Sequence, residues 1–94
     1  MQIDEITFKI TPTLKKHHIK RAGLFGSVAT GRARRGSDID LLVEFGTAIS
    51  LLDFVGIKFE LEEILGTKVD LVEYEAIKPR LRRRILSEEI RIYG

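Results

Sequence analysis

The stretch that decides the fold is residues 21–45, which read RAGLFGSVATGRARRGSDIDLLVEF. Its first five residues form a short, mostly apolar run that ends at Gly26 and Ser27, a pattern typical of a buried strand entering a tight turn. The ten residues after Ser27 are small and basic, and they predict one helical turn followed by a loop. The last seven residues, from Ile39 onward, are nearly all apolar except Asp40. They predict a second buried strand.

The sequence on either side predicts further alternation of helices and strands. The remaining predicted elements are helices over residues 3–18, 51–65 and 79–86 and strands over residues 68–72 and 90–93. Thr11 and Pro12 fit the N-cap and the first position of a helix, so we expect the first helix to restart there. This order predicts an α/β fold (α+β, two-layer), with a mixed sheet of about four strands and helices packed on it. No repeat or linker divides the chain, so we expect one domain over residues 1–94.

Composition excludes several classes of function. The 94 residues include no cysteine, which rules out disulfides, thiolate nucleophiles and zinc-thiolate sites. No apolar run approaches the roughly 20 residues of a membrane span, and Asp4 and Glu5 stand where a signal peptide would be basic and then apolar. We therefore expect a cytoplasmic protein without membrane contact. The net charge of +2 is too small to indicate nucleic-acid binding by itself.

Three acids stand in segments that a buried strand would normally keep apolar: Asp38, Asp40 and Asp70. Asp38 and Asp40 are two residues apart, so they project from the same face at the same end of their strand. A divalent cation offsets the repulsion between such carboxylates, and oxygen ligands without His or Cys favour Mg²⁺ or Mn²⁺ over zinc. Taken singly, each acid also has an ordinary structural explanation: Asp38 caps a loop, Asp40 pairs with an arginine, and Asp70 faces water.

The Gly26-Ser27 pair predicts an anion site. It follows a buried strand and opens a short helix, so backbone N–H groups and the Ser27 hydroxyl would converge on a phosphate. An isolated Gly-Ser pair would more simply make a turn, but this one precedes the acids by ten residues. His17 and His18 fit surface positions at a helix end, and we assign them no catalytic role.

These motifs together resemble a known family. LFGS at residues 24–27, ten further residues and DIDLLV at residues 38–43 are similar to the signature of the DNA polymerase beta superfamily of nucleotidyltransferases. Within it the chain most resembles the minimal nucleotidyltransferases, or MNT proteins, which consist of little beyond the catalytic core. The match extends to Gly31, Ser37, VDLV at residues 69–72 and the charged helix after Pro79.

The resemblance implies roles for five residues. Asp38 and Asp40 would coordinate two Mg²⁺ ions. Asp70 would complete the metal site, either as the general base or as the ligand that orients the metal activating the nucleophile. Gly26 with Ser27 would bind the triphosphate of the substrate, ATP. The resemblance thus implies a catalytic and metal-binding set of three acids beside a nucleotide-binding turn.

The resemblance also implies a partner. MNT proteins are typically paired with a HEPN-domain ribonuclease toxin and act as antitoxins by AMPylating it on a tyrosine. Two alternatives remain open on the sequence. One is a non-catalytic binding module that neutralises its toxin by contact alone, and the other is a nucleotidyltransferase acting on RNA ends or on a small molecule.

Three surface features bear on partners. Residues 51–65 confine their polar side chains to one narrow stripe, so the wide apolar remainder is either sandwiched inside the fold or meets another protein chain. Basic residues form two groups: the first is Arg32, Arg34 and Arg35, and the second is Lys78, Arg80, Arg82, Arg83 and Arg84. For both groups a solvated surface is the ordinary explanation. At least one residue of the first group is a candidate contact for the triphosphate or the partner, and the second group indicates an acidic or nucleotide partner.

Overall fold

The computed structural model describes residues 2–34 and 36–94. Its elements are α1 (Ile3–Lys16), β1 (Ile19–Phe25), α2 (Gly26–Ala29), β2 (Ile39–Phe45), α3 (Leu51–Leu65), β3 (Val69–Glu73), a 3₁₀ turn (Tyr74–Ala76), α4 (Pro79–Glu88) and β4 (Ile90–Tyr93). The predicted alternation of helices and strands is confirmed. β1 begins two residues earlier than predicted, and α4 extends two residues beyond its predicted end.

The four strands form one mixed sheet in the order β3-β2-β1-β4. β1 pairs antiparallel with both β2 and β4, whereas β2 pairs parallel with β3. The parallel pair requires a crossover between β2 and β3, and α3 supplies it. The predicted mixed sheet with packed helices is thus confirmed.

The two faces of this sheet differ. Side chains at alternate positions of the strands point to the face covered by α1 and α3, where they form the main core. Its members include Ile6, Ile10 and Leu14 of α1, Ala22 and Leu24 of β1, Ile39, Leu41 and Val43 of β2, and Ile57, Leu61 and Leu65 of α3. Leu42 points the other way and forms a smaller cluster with Tyr74 and Ile77. Asp40 alternates with Leu41 and so lies on this second, more open face.

The prediction that a new helix starts at Thr11 and Pro12 is wrong. α1 runs without a break from Ile3 to Lys16, and Pro12 lies inside it. The side-chain hydroxyl of Thr11 donates to the carbonyl of Thr7 at 2.5 Å, which keeps the turn before the proline closed. Pro12 itself is exposed, so its ring faces solvent and disturbs no core contact.

α3 has the predicted bounds and well-defined ends. The Ser50 hydroxyl accepts from the backbone N–H of Asp53 at 3.1 Å as an N-cap, and Gly66 closes the helix with a φ of 70°. Only one side of α3 enters the core, and Leu51 and Leu52 remain 78% and 83% exposed. The helix is therefore not sandwiched inside the fold. Among the described residues, no helix is both long and apolar enough to cross a membrane.

Candidate active site

The turn after β1 is shaped by Gly26. This residue has a φ of +71°, a conformation that side-chain-bearing residues rarely adopt, and it starts α2. A methyl group placed on Gly26 would overlap the Oδ2 atom of Asp40. Glycine is therefore needed at this position for two reasons: it permits the backbone conformation, and it lets the turn approach the carboxylate.

Ser27 stands at the second position of α2 and is half-buried. Its backbone carbonyl accepts from the N–H of Arg32 at 2.9 Å, and the Thr30 hydroxyl donates to the carbonyl of Gly26 at 3.0 Å. No hydrogen bond among residues 2–34 and 36–94 uses the Ser27 hydroxyl. The turn is thus held by its carbonyls, which leaves the hydroxyl and the first N–H groups of α2 to a ligand.

The sheet register brings the acids to this turn. Asp40 pairs with Phe25 of β1 on one side and with Asp70 of β3 on the other. Asp38 lies two residues before Asp40, just ahead of β2, and is exposed. Asp70 is also exposed, whereas Asp40 is half-buried between the strands. The structure therefore brings Asp38, Asp40 and Asp70 together with Gly26 and Ser27 at one edge of the open face.

The neighbouring acids affect the electrostatics of Asp40. The pKa of Asp40 is raised from 3.8 to about 6, mainly by burial and then by the negative charges of Asp70 and Asp38. Like charges in a partly desolvated setting disfavour the ionised form. The site thus concentrates negative charge that a cation would relieve.

This donor set fits a hard divalent cation. Its side-chain donors are carboxylate oxygens, which suit Mg²⁺ or Mn²⁺, and a bound cation would offset the repulsion that raises the pKa of Asp40. Within the described part of the chain, however, no group of three His, Cys, Asp or Glu side chains is arranged to hold a metal ion by itself. A cation bound here would therefore need further oxygen ligands, such as those of a substrate or of water.

A cleft of about 780 Å³ lies next to Asp38, and the sequence did not reveal it. Its walls come from the start of α1, from α2 and the loop after it, and from the end of α3, including Ile3, Val28, Ser37, Leu65 and Thr67. These residues are separated along the chain, so only the folded packing brings them together. The volume lies within the range of about 300–1,000 Å³ that is usual for small-molecule sites.

Some of the basic residues contact other parts of the protein, and others are exposed to solvent. In the loop, Arg32 pairs with Glu88 of α4 at 3.7 Å, and Arg34 is exposed. Arg35 lies outside the described residues. In α4, Arg82 donates to the carbonyl of Tyr74 at 2.7 Å, which attaches the helix to the 3₁₀ turn. Arg84 of the same helix lies 4.0 Å from Glu88. Arg82 and Arg84 therefore have contacts within the protein, and Lys78, Arg80 and Arg83 are exposed at the surface.

The family is evident from the match to its model. The model described as Polymerase beta, Nucleotidyltransferase matches residues 8–94, which include the turn and all three acids. The protein is a nucleotidyltransferase. More particularly, the chain belongs to the polymerase beta family of nucleotidyltransferases.

Two relatives are similar over most of the chain. A Methanocaldococcus jannaschii protein named as a candidate protein adenylyltransferase is 53% identical over 90 residues, which are 96% of this chain and 97% of the relative. The protein adenylyltransferase MntA of Thermococcus cleftensis is 38% identical over 72 residues, which are 77% of this chain and 73% of the relative.

Solved structures agree with this placement. A chain described as a candidate minimal nucleotidyltransferase is 39% identical, with a TM-score of 0.79 and coverage of 96% of this chain and 95% of that one. A toxin–antitoxin complex with AMP-PNP contains a chain of the same fold, with a TM-score of 0.82 at 24% identity. That match covers 94% of this chain and 73% of the other. The resemblance to minimal nucleotidyltransferases therefore extends over nearly the whole chain.

Proposed function

We propose that this protein transfers AMP from ATP to a tyrosine hydroxyl of a cognate HEPN ribonuclease toxin, in a Mg²⁺-dependent reaction, and thereby acts as an antitoxin. The observation that carries the proposal is the close approach of Gly26 to the Asp40 carboxylate, with Asp70 paired beside it. A phosphate-binding turn in contact with paired acids is suited to holding a triphosphate and its metal together. The proposal includes a cytoplasmic location, because ATP is supplied there.

The chain's own groups have distinct tasks in this proposal. The N–H groups at the start of α2 and the Ser27 hydroxyl bind the triphosphate, because these donors are not consumed by the turn itself. Asp38, Asp40 and Asp70 hold the cation, for which the family implies two ions. When bound, Mg²⁺ neutralises charge on the phosphates and lowers the pKa of the attacking hydroxyl.

The transfer exchanges a phosphoanhydride bond of ATP for a phosphodiester bond to the tyrosine. A bond forms between the tyrosine oxygen and the α-phosphorus, and the bond from that phosphorus to the bridging oxygen of the β-phosphate breaks. The hydroxyl proton passes to Asp70, which is exposed on the same face as Asp40 and can meet an incoming side chain. Pyrophosphate leaves with the electron pair of the broken bond.

A protein acceptor is favoured by the relatives. Both relatives described above carry the name protein adenylyltransferase, one of them as a candidate, and a chain of the same fold occurs in a toxin–antitoxin complex. Asp70 is exposed on the open face of the sheet, so an acceptor side chain of another protein can approach it.

Label transfer tests the proposal. The purified protein is incubated with Mg²⁺, ATP labelled on the α-phosphate and the purified toxin encoded by the neighbouring gene, and the products are separated on a denaturing gel. We expect label on the toxin and a loss of about 1,000-fold or more in the Asp38→Asn, Asp40→Asn double variant, since it removes the cation's ligands. Mass spectrometry of the labelled toxin identifies the acceptor side chain.

A control variant tests whether the loss of any two acidic side chains, rather than of Asp38 and Asp40, lowers activity. Asp4→Asn with Glu5→Gln removes two exposed acids from the first turn of α1 and should label the toxin normally. Label on RNA instead of the toxin would contradict the protein acceptor. If the toxin is neutralised by wild type and double variant alike and carries no label, contact alone explains the antitoxin effect.

A further inference from the structure

The outer side of α3 carries apolar side chains that the fold leaves in solvent. Leu52 and Phe59 are 83% and 59% exposed, and with Gly56 between them they follow a spacing of four and three residues. That spacing places all three on one side of the helix, and we call this line of residues the α3 stripe. Exposed large apolar side chains that share one side of a helix are suited to contact with another protein.

Gly56 has no explanation inside the molecule. It lies in the exposed middle of α3, where glycine is among the poorest helix formers, and a methyl group placed on it would meet nothing within 4 Å. No positive φ requires glycine at this position. Between two large apolar neighbours, however, its missing side chain leaves a notch into which another helix can pack at short interaxial distance.

The negative charge of α3 indicates which kind of partner could bind the α3 stripe. α3 carries four acids and one lysine, a formal charge of −3 in a chain whose total is +2. Glu60 and Glu62 are paired within the protein, whereas Asp53 and Glu63 form no ion pair in the described part of the chain. Two copies joined through α3 would bring these like charges together, so the surface favours a different protein with basic residues.

We propose that the α3 stripe docks an amphipathic helix of the partner toxin, whose apolar face is flanked by Lys or Arg. The toxin as occupant rests on the proposed function; the notch and the charge are properties of α3. The stripe is on the outer side of a helix that covers the sheet face opposite to Asp40, so docking and AMP transfer use separate surfaces. The helix nevertheless ends at Leu65 and Gly66, which line the same cleft as Asp38.

Two substitutions test the docking surface in opposite ways. Gly56→Leu fills the notch while improving helix propensity, so we expect Tm to rise by roughly 5 °C and toxin binding to weaken by about tenfold or more. Phe59→Lys removes an apolar anchor and adds a charge that repels a basic partner, and it should weaken binding by a similar factor. Binding is measured by calorimetry with the purified toxin.

A matched control uses another exposed aromatic residue. Phe8 of α1 is 83% exposed and lies on a different helix, so Phe8→Lys should bind the toxin as wild type does. The Asp38→Asn, Asp40→Asn double variant should also bind normally, because neither residue belongs to the α3 stripe and the side chain of Asp40 points to the opposite face of the sheet. Light scattering of the protein alone follows its oligomeric state.

The outcomes separate this inference from the proposed function. If the toxin binds and is labelled but both α3 variants bind normally, the docking assignment is wrong and the transfer reaction stands. If the α3 variants alone lose binding and no label is transferred, the docking surface stands without the reaction. If the wild type does not bind the toxin, or instead forms a dimer that Gly56→Leu disrupts, the occupant is not the toxin and the inference is overturned.

Discussion

Gly26 is the residue at which backbone conformation and site chemistry depend on each other. Its φ of +71° directs the chain from β1 into α2, and its bare α-carbon lets the Asp40 carboxylate lie against the turn. Any side chain would both strain the backbone and push the acid away. The same residue therefore determines how close the phosphate site and the metal site can be.

Gly26→Ala should abolish transfer through displacement of Asp40. A misplacement of about 1 Å at a reacting centre can lower the rate by roughly 100-fold, so we expect label transfer to fall by at least about that factor. Gly31→Ala is the matched control, because Gly31 has a similar φ of +75° and a methyl group there would meet nothing within 4 Å. It should lose about 1 kcal/mol of stability and keep its activity. Equal activity loss in the two variants would show that backbone strain, and not the contact with Asp40, is responsible.

The sequence predicted which residues form the candidate site better than it predicted how buried or charged their surroundings are. The motif spacing selected Gly26, Ser27, Asp38, Asp40 and Asp70, and the structure places all five at one edge of the sheet. Their roles in binding and catalysis stay predictions. The sequence could not show that Asp40, unlike Asp38 and Asp70, is half-buried and has a raised pKa, because this depends on the strands on both sides of it.

Among the elements, α1 shows how packing overrides a local signal. Pro12 lies inside the helix and cannot donate a backbone hydrogen bond, yet Ile10 and Leu14 on either side of it are fully buried in the core. Burial of these side chains holds the helix together across the proline. The sequence signal at Thr11 and Pro12 was real as a local preference, but tertiary contacts decide the outcome.

Pro12→Ala should therefore stabilise the protein. Alanine restores the missing N–H donor and removes the ring clash, and after allowance for a more flexible unfolded chain we expect a gain of about 1–2 kcal/mol. Thermal unfolding should show Tm higher by roughly 4–8 °C for each kcal/mol. Lys15→Ala, an exposed change in the same helix, should alter stability by less than about 0.5 kcal/mol. A Tm of Pro12→Ala below that of the wild type would mean that the proline is required by the helix geometry.

The other elements were largely predictable, for reasons that also explain the differences. β2 and α3 have the predicted bounds, since each is long and strongly apolar with clear ends. β1 starts at Ile19, ahead of the charged pair Lys20 and Arg21, and its register with β2 shifts there. Such an irregularity depends on the partner strand and leaves no pattern in the sequence of one strand.

In the whole molecule, the sheet separates two kinds of surface. One face is closed by α1 and α3 and supplies the main core, while the other bears the acids and only a small apolar cluster around Leu42 and Tyr74. The core on the first face stabilises the fold enough to tolerate the mutual repulsion of the acids on the second face. The clustered acids are therefore a local cost in stability that the rest of the fold must offset.

This cost varies with pH in a definite direction. The pKa of Asp40 is about 6 in the folded protein, above its ordinary value of 3.8, so the folded state holds this proton more tightly than the unfolded chain. The contribution of Asp40 to stability is fully present below pH 3.8 and is lost as the pH rises through about 6. At neutral pH the ionised carboxylate destabilises the fold unless a cation is bound.

We therefore expect Mg²⁺ and an Asp40→Asn substitution to have parallel effects on thermal stability. At pH 7.5 and without divalent ions, Asp40→Asn should melt above the wild type by roughly 5 °C, and at pH 4 the two should be nearly equal. Mg²⁺ should raise Tm of the wild type at pH 7.5 and have little effect on the variant, because the amide neither repels the other acids nor binds the ion well. Glu63→Gln, which removes an exposed acid from α3, should reproduce neither effect. Stabilisation by Mg²⁺ that is equal in all three proteins would show that the ion acts elsewhere, and the three acids would then have to be explained without a metal.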